Sequence, residues 1–236
     1  MRGRGLDGWV RVGLVLTALL LLPWGAVSGA TTPTPVSRAK LGDPSALAKG
    51  KLLVANRDLR DPNFSRTVVL LVRYSARGTL GFIINRPTSV ELSEVLPSVE
   101  EPGGGSPVFE GGPVARDLLQ AVVRSSAQPP DADRVFGEIY YGRSSELVQW
   151  LLGEGKAKSS FRAYAGHAGW APGQLENEVR RGDWYIVPTD AETVLDAEPG
   201  TLWRRLIPRD PSRSAERTEP SGSIGPVRSV SPAASP

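Results

Sequence analysis

TVVLLVRYSARGTLGFIIN, residues 67 to 85, decides the fold of this chain. Two runs rich in β-branched and aromatic side chains, 67–74 and 79–85, flank SARG (75–78), so the stretch reads as a β-hairpin. Both arms are apolar almost without interruption, which predicts a sheet buried on both faces. Arg86-Pro87 ends the second arm, because Pro has no N–H for the ladder and biases the preceding residue to an extended conformation. Upstream, KLLVAN (51–56) reads as another buried strand, and DLRDPNF (58–64) supplies an Asp61-Pro62 turn.

Downstream, Thr88 and Glu91 have capping-box spacing ahead of Leu92, Val95 and Leu96, so a short helix is expected to start there. EEPGGGSP (100–107) reads as a flexible loop, VFEGGPV (108–114) as a strand entering a tight turn, and LLQAVVRS (118–125) and EIYYG (138–142) as strands separated by a polar loop over 127–134. ELVQWLLGEG (146–155), capped by Ser144 or Ser145, reads as a helix with Leu147, Trp150 and Leu151 on one face. FRAYAG (161–166) returns as a strand. GHAGWAPGQLENEVRRGDWYIVP (166–188) then reads strand end, glycine turn, helix, stop, strand. In it Pro172 suits the first helical turn, Leu175 and Val179 form an apolar pair, Glu176 and Arg180 have ion-pair spacing, and Gly182 supplies a left-handed stop. Short helices are expected around 191–195 and 201–206. Strands and helices mix without a βαβ rhythm, which favours an α+β fold: a single domain with a mixed β-sheet flanked by short helices.

The chain has 236 residues, with 28 Lys plus Arg, 25 Asp plus Glu, one His and no Cys. Without thiols there is no disulfide framework, thiolate zinc site, iron–sulfur cluster or cysteine nucleophile, and a lone His cannot by itself build a histidine-rich metal centre. No metal or cofactor is expected. The first 30 residues carry Arg2, Arg4 and Arg11 against Asp7, and the remainder holds 25 basic and 24 acidic residues. That balance argues against nucleic acid as a partner.

Residues 1–30 have the layout of a signal peptide: a basic start, an apolar core containing LVLTALLLL (14–22), then small residues ending at Ala30, with cleavage expected before Thr31. The rival is an uncleaved anchor, the one route to a membrane; Pro23, Gly25, Ser28 and Gly29 weigh against it. Export, periplasmic or secreted, follows. Residues 31–45 read as a linker, 46–207 as the folded domain and 208–236 as a disordered tail, in which six Pro, seven Ser and two Gly leave few apolar groups to offset the entropy of ordering.

Four ordered motifs, GKLLVANRDLRDPNFSRTVVLL (50–71), GTLGFIINRP (78–87), EGGPV (110–114) and GHAGWAPGQLENEV (166–179), resemble the YqgE/AlgH family of bacterial proteins, over about residues 48–207. The resemblance implies a compact α+β domain whose sheet is partly barrel-like, usually in a cytoplasmic protein. The family name implies a transcriptional role for some members, and no catalytic residue carries over. This sequence departs from the pattern at Arg73-Tyr74-Ser75, at Val123-Arg124-Ser125 and at His167, where Tyr is usual. The leader is a further departure.

Three groups of residues are candidates for a site. Gly166, Gly169 and Gly173 surround the expected helix start, whose free N–H groups can hold an anion, with Trp170, Gln174 and Glu176 beside it; the plainer reading is glycine packing against a core Trp170. His167 titrates nearest neutrality, so acid–base chemistry would fall to it, but no nucleophile-elbow sequence accompanies it. Asn85 and Arg86 end a buried strand and would form a pocket with the Gly111-Gly112 backbone if the strand ends converge, Arg86 clamping an oxyanion. The plainer alternative there is an ion pair of Arg66 or Arg86 with Asp61 pinning the turn. Trp170 and Trp184 are expected in the core. Together these readings favour a non-enzymatic domain binding a small molecule, peptide or protein; the alternatives are a hydrolase-like enzyme using His167 and a transcriptional regulator.

Overall fold

A computed structural model of the chain describes residues 40–96, 105–143, 147, 150, 151 and 161–208. The leader with its Ala30 cleavage point, residues 31–39 of the linker, most of the 100–107 loop, much of the helix at 146–155 and the tail from residue 209 lie outside the described residues.

The hairpin forms as read. β3 (Val68–Ser75) pairs antiparallel with β4 (Gly78–Ile83) across the SARG turn, and β2 (Leu52–Ala55) pairs with the other edge of β3. β11 (Trp184–Val187) adds beyond β2, and β1 (Lys40–Leu41), in the stretch read as a linker, pairs with β11. This first layer is buried on both faces, as its apolar runs predict. Leu52, Val54, Val68, Leu70, Leu80, Phe82 and Ile84 point into one core. Leu53, Ala55, Val69, Leu71 and Ile83 alternate into a second, covered by Leu175 and Val179 of helix α2 (Gln174–Arg180).

A second layer comprises β7 (Val114–Arg124), β9 (Ile139–Gly142) and β8 (Ala132–Phe136), together with β5 (Pro87–Glu91) and β6 (Pro107–Glu110). Phe109, Val122, Ile139, Tyr141 and Tyr164 face the first core from this side. Phe82 stacks on Tyr164 at 4.9 Å between centroids, and each such fully buried large side chain contributes about 1.5–3 kcal/mol. Ala121, Val123, Ala132 and Tyr140 pack on the outer face against helical Leu147 and Leu151, with Trp150 alongside, as the spacing of those three residues predicted.

One strand belongs to both layers. β10 (Phe161–Trp170) pairs with β7 antiparallel and β6 parallel through its first half, and with β4 through Ala168–Trp170. It bends at Gly166, where φ is 72° and the register with β7 shifts. The result is a mixed, mostly antiparallel sheet with short helices, an α+β domain. Its strand path runs β1-β11-β2-β3-β4-β10-β7-β9-β8, and its two ends do not pair, so among the described residues the sheet is open and lacks the barrel closure. Helices α3 (Ala191–Leu195) and α4 (Pro199–Leu206) cover one end of the inter-layer core with Val194, Leu195 and Leu202. Trp203 Nε1 ties α4 to the Ala55 carbonyl at 2.8 Å.

Several local expectations are corrected. Helix α1 (Leu92–Val95) starts three residues later than the Thr88 cap implied: Glu91 N donates to Glu94 Oε1 at 2.9 Å, while Thr88 lies in β5 and its hydroxyl donates to the Val108 carbonyl. β8 replaces part of the polar loop expected over 127–134, because an edge strand needs only Ala132 and Val135 turned inward and leaves Asp133 and Arg134 in solvent. The glycine turn expected after Gly166 is, as far as Trp170, the second half of β10. Helix α2 has Gly173 at its N-cap, so Pro172 precedes the cap instead of sitting in the first turn. Gly182 is left-handed, as its role as a stop requires.

Candidate functional site

The sequence-nominated residues are placed apart, and most are engaged by the fold itself. Arg86 donates to the carbonyls of Asn63 at 2.8 Å and of Pro62 and Ser65 at 3.2 Å, and lies 3.7 Å from Glu110. Asn85 accepts from Val68 N and donates to the Arg66 carbonyl. Both therefore pin the 61–67 loop. Asp61 closes its own turn by accepting from Asn63 N at 2.8 Å, and Arg66 takes the left-handed conformation with φ 57°. The expected pairing of Asp61 with Arg66 or Arg86 is absent among the described residues: Arg86 takes Glu110 instead, because the strand pairing of β5 with β6 brings that carboxylate alongside.

The Gly111 backbone is likewise used up. Gly111 N donates to the Ala165 carbonyl and its own carbonyl accepts from Ile83 N, both at 2.9 Å. A Cβ on Gly111 would lie 2.3 Å from the Gly166 carbonyl oxygen, and one on Gly112 2.3 Å from the His167 carbonyl carbon. These glycines let the β6–β7 turn cross β10 in main-chain contact where β10 bends.

Around α2, Trp170 and Trp184 are buried as expected, and both donate their indole N–H to Glu178 Oε2, at 2.9 and 3.0 Å. Phe64 packs on both rings. Gln174 accepts from Ala171 N and donates to Glu178, and Glu176 accepts from the Tyr74 hydroxyl at 2.7 Å. Burial, and next this bond to Glu176, push the Tyr74 phenol up to about 12. Glu176 is thus taken by Tyr74 and Arg180 by Asn177, so the expected Glu176–Arg180 pair is not made. The anion site imagined at this helix start does not assemble, since Gly166 and Gly169 belong to β10 and α2 has only seven residues.

His167 is different. It lies on the inner face of β10, its ring over Gly169, where a Cβ would be 3.7 Å from Nε2. Gly169 pairs with Leu80, and Leu80 with Arg73, so His167, Gly169, Leu80 and Arg73 form a row across three strands on the inner face. Two irregularities produce that row. Between Leu71 and Arg73 the β3 register shifts, Val72 being the extra residue, which turns Arg73 inward and Tyr74 outward to Glu176. In β10 the left-handed Gly166, set against residues 115–118 of β7, exchanges the sides: Tyr164 points to the inner core and Ala168 to the outer one, leaving His167 inward.

Across the core stands Tyr141, 6.2 Å from Phe82, and two residues further along the chain is Arg143. This rim is the end of the inter-layer space opposite α3 and α4. The half-buried imidazole is held below its usual range by burial first, then by the charges of Arg73 and Arg143. The Tyr141 phenol is raised by burial and then by Asp133. Among the described residues neither Arg73 nor Arg143 lies within ion-pair distance of a carboxylate, and the buried Nδ1 of His167 has no hydrogen-bond partner. Sequence reasoning nominated His167 and missed both arginines. The strand register that aims them leaves no mark in composition or spacing.

The family model described as AlgH-like (DUF179) matches residues 52–211, which span both layers and the rim. This chain belongs to the AlgH-like family. An AlgH-like relative from Streptomyces avermitilis, a UPF0301 protein, is 41% identical over 167 residues, covering 68% of this chain and 85% of the relative. A UPF0301 protein from Chlorobaculum tepidum is 34% identical over 162 residues, covering 68% and 86%. The solution structure of the AlgH protein from Pseudomonas aeruginosa superposes with a TM-score of 0.56 at 29% identity, over 75% of this chain and 92% of that one. A crystal structure from Corynebacterium diphtheriae gives 0.59 at 24% identity, over 73% and 90%, a likeness of fold alone. The AlgH-like resemblance read from the four motifs is therefore correct. Among the described residues, no helix is long and apolar enough to cross a membrane and no group of His, Asp and Glu is arranged to hold a metal ion.

Proposed function

We propose that this chain is an exported AlgH-like domain that works by binding and not by turnover, taking a small molecule, peptide or protein at the rim around His167. The observation that carries the reading is the environment of the one imidazole. Its neighbours are two guanidinium groups, and no carboxylate among the described residues orients it as acid–base catalysis by a triad would require. An imidazole kept neutral between unpaired cations suits recognition of a negatively charged group. Export is supported by the basic start, apolar core and small residues of the first 30 positions.

Fractionation of the native protein with N-terminal sequencing tests the compartment: a mature start at Thr31 outside the cytoplasm is expected, and an intact leader on a cytosolic protein overturns export and revives direct regulation of transcription. Complementation of a deletion strain with His167→Tyr tests the mode of action. Function retained with weakened binding at the rim is expected, because the two arginines remain, whereas a turnover abolished by that substitution overturns binding in favour of the hydrolase-like alternative.

A further inference from the structure

We infer that Arg73 and Arg143 form a two-sided clamp for a small-molecule phosphate dianion, with the His167 ring between them. This deepens the reading of the rim as the binding surface and rests on it. Arg73 comes from one layer and Arg143 from the other, and both converge on the strand that joins the layers. Each side chain is exposed, and neither guanidinium donates a hydrogen bond to the protein among the described residues. Guanidinium is a planar fork of donors matched to tetrahedral and planar oxyanions. Two of them beside a neutral imidazole present a charge of two, which matches a phosphate monoester with its second proton lost. Asp133, paired with Tyr141 across β8 and β9, is the carboxylate among the described residues whose charge reaches the Tyr141 phenol. It lowers the local balance without occupying either guanidinium, and it disfavours ligands carrying further negative charge beyond the clamped group.

The two strand irregularities are the second support. β3 and β10 pair elsewhere in regular registers, and the bulge at Val72 and the left-handed Gly166 fall where unbroken alternation would turn Arg73 and His167 to the opposite face. Turned that way, Arg73 would take the place of Tyr74, which now bonds Glu176. Bulges that re-aim side chains concentrate next to binding sites. The other end of the same core shows the contrast: there Arg162 spends its donors on the Ile84 and Ala197 carbonyls.

The chain holds a single His, so its imidazole gives one unambiguous set of NMR signals in the full-length protein. Inorganic phosphate is titrated at constant ionic strength, with chloride as the compensating salt and succinate as a parallel arm. A saturable shift of the His167 signals with phosphate is expected, together with upward movement of the imidazole titration midpoint, because bound negative charge offsets the guanidinium charges. Arg73→Ala and Arg143→Ala should each weaken the response at least about tenfold, a loss of about 1.4 kcal/mol, while thermal unfolding confirms that both variants fold. Signals that do not move, that move equally with chloride, or that respond unchanged in both variants overturn the clamp. A saturable response to succinate alone also overturns it, since the ligand is then a dicarboxylate, and leaves the binding reading standing. Arg73→Lys provides a finer arm: it keeps the charge but loses the fork, and partial weakening is expected.

Discussion

Arg86 and Arg73 lie near opposite ends of the same hairpin, and their fates differ completely. Arg86 lies three residues past the end of β4, where three loop carbonyls and Glu110 surround its guanidinium. Arg73 lies at the other end, aimed by a bulge toward a rim where nothing among the described residues pairs with it. From sequence the first is the obvious ligand clamp, because it ends a buried strand beside glycines. The structure makes it a staple for the 61–67 loop. The lesson is that an arginine's availability depends on whether unsatisfied carbonyls lie within its reach, and that is a property of loop packing.

The contrast breaks first at the backbone crossing that separates the two regions. Gly112→Ala forces a Cβ into the His167 main chain at a φ of 151°, and should cost about 3 kcal/mol or more, through overpacking and strain together. Urea unfolding measures it, and a change below about 1 kcal/mol would show that this main-chain contact is not needed. Next comes the staple. Arg86→Ala strands three carbonyls and Glu110, and should cost about 2–3 kcal/mol, since bonds to charged donors are worth about 1.5–3 kcal/mol each and overlap here. Arg86→Lys should recover part of that. By contrast Arg73→Ala and Arg143→Ala should move stability by no more than about 0.5 kcal/mol, as surface substitutions free of partners do. Equal costs at Arg73 and Arg86 would abolish the distinction between a spent and an unspent arginine.

The smallest expected effect is electrostatic. Burial and the two arginines lower the folded-state pKa of His167 below its ordinary value of 6.5. The unfolded chain therefore takes up the proton first on acidification, and stability is complete above about pH 6.5 and declines as pH falls from there through the lower folded value. His167→Tyr should remove this decline. Denaturation midpoints of the two proteins at about pH 7.5 and pH 5 test it: the wild type should lose ground to the variant only in acid. A parallel response of both would place the acid sensitivity elsewhere.

Much of the fold was legible because it follows from period-two and near-continuous apolar runs. The β3–β4 hairpin, β2, β9 and β11 all announce themselves that way, and burial on both faces was implied by the unbroken apolar character of 67–72. The failures have specific causes. β8 is an edge strand that carries charge outward, so it reads as loop. β10 contains Gly166 and Gly169, which read as a turn because one of them does permit a bend, yet pairing with β4 carries the strand four residues further. Thr88 offers the right spacing for a cap, but the β5–β6 pairing claims it first. In the candidate site, His167 was visible as the lone imidazole. Arg73 and Arg143 were not, since the side on which a strand residue emerges depends on every irregularity before it.

The extra residue in β3 and the left-handed Gly166 in β10 behave like frameshifts that reach the surface while sparing the interior. Past each of them the alternation resumes with its sides exchanged, so hydrophobic positions still land inward on one core or the other. A homologous chain with identical composition, but with the insertion in β3 moved one place along, would keep its packing and lose its basic rim. Comparisons among relatives should therefore align strands by pairing partner before asking whether an arginine has been kept.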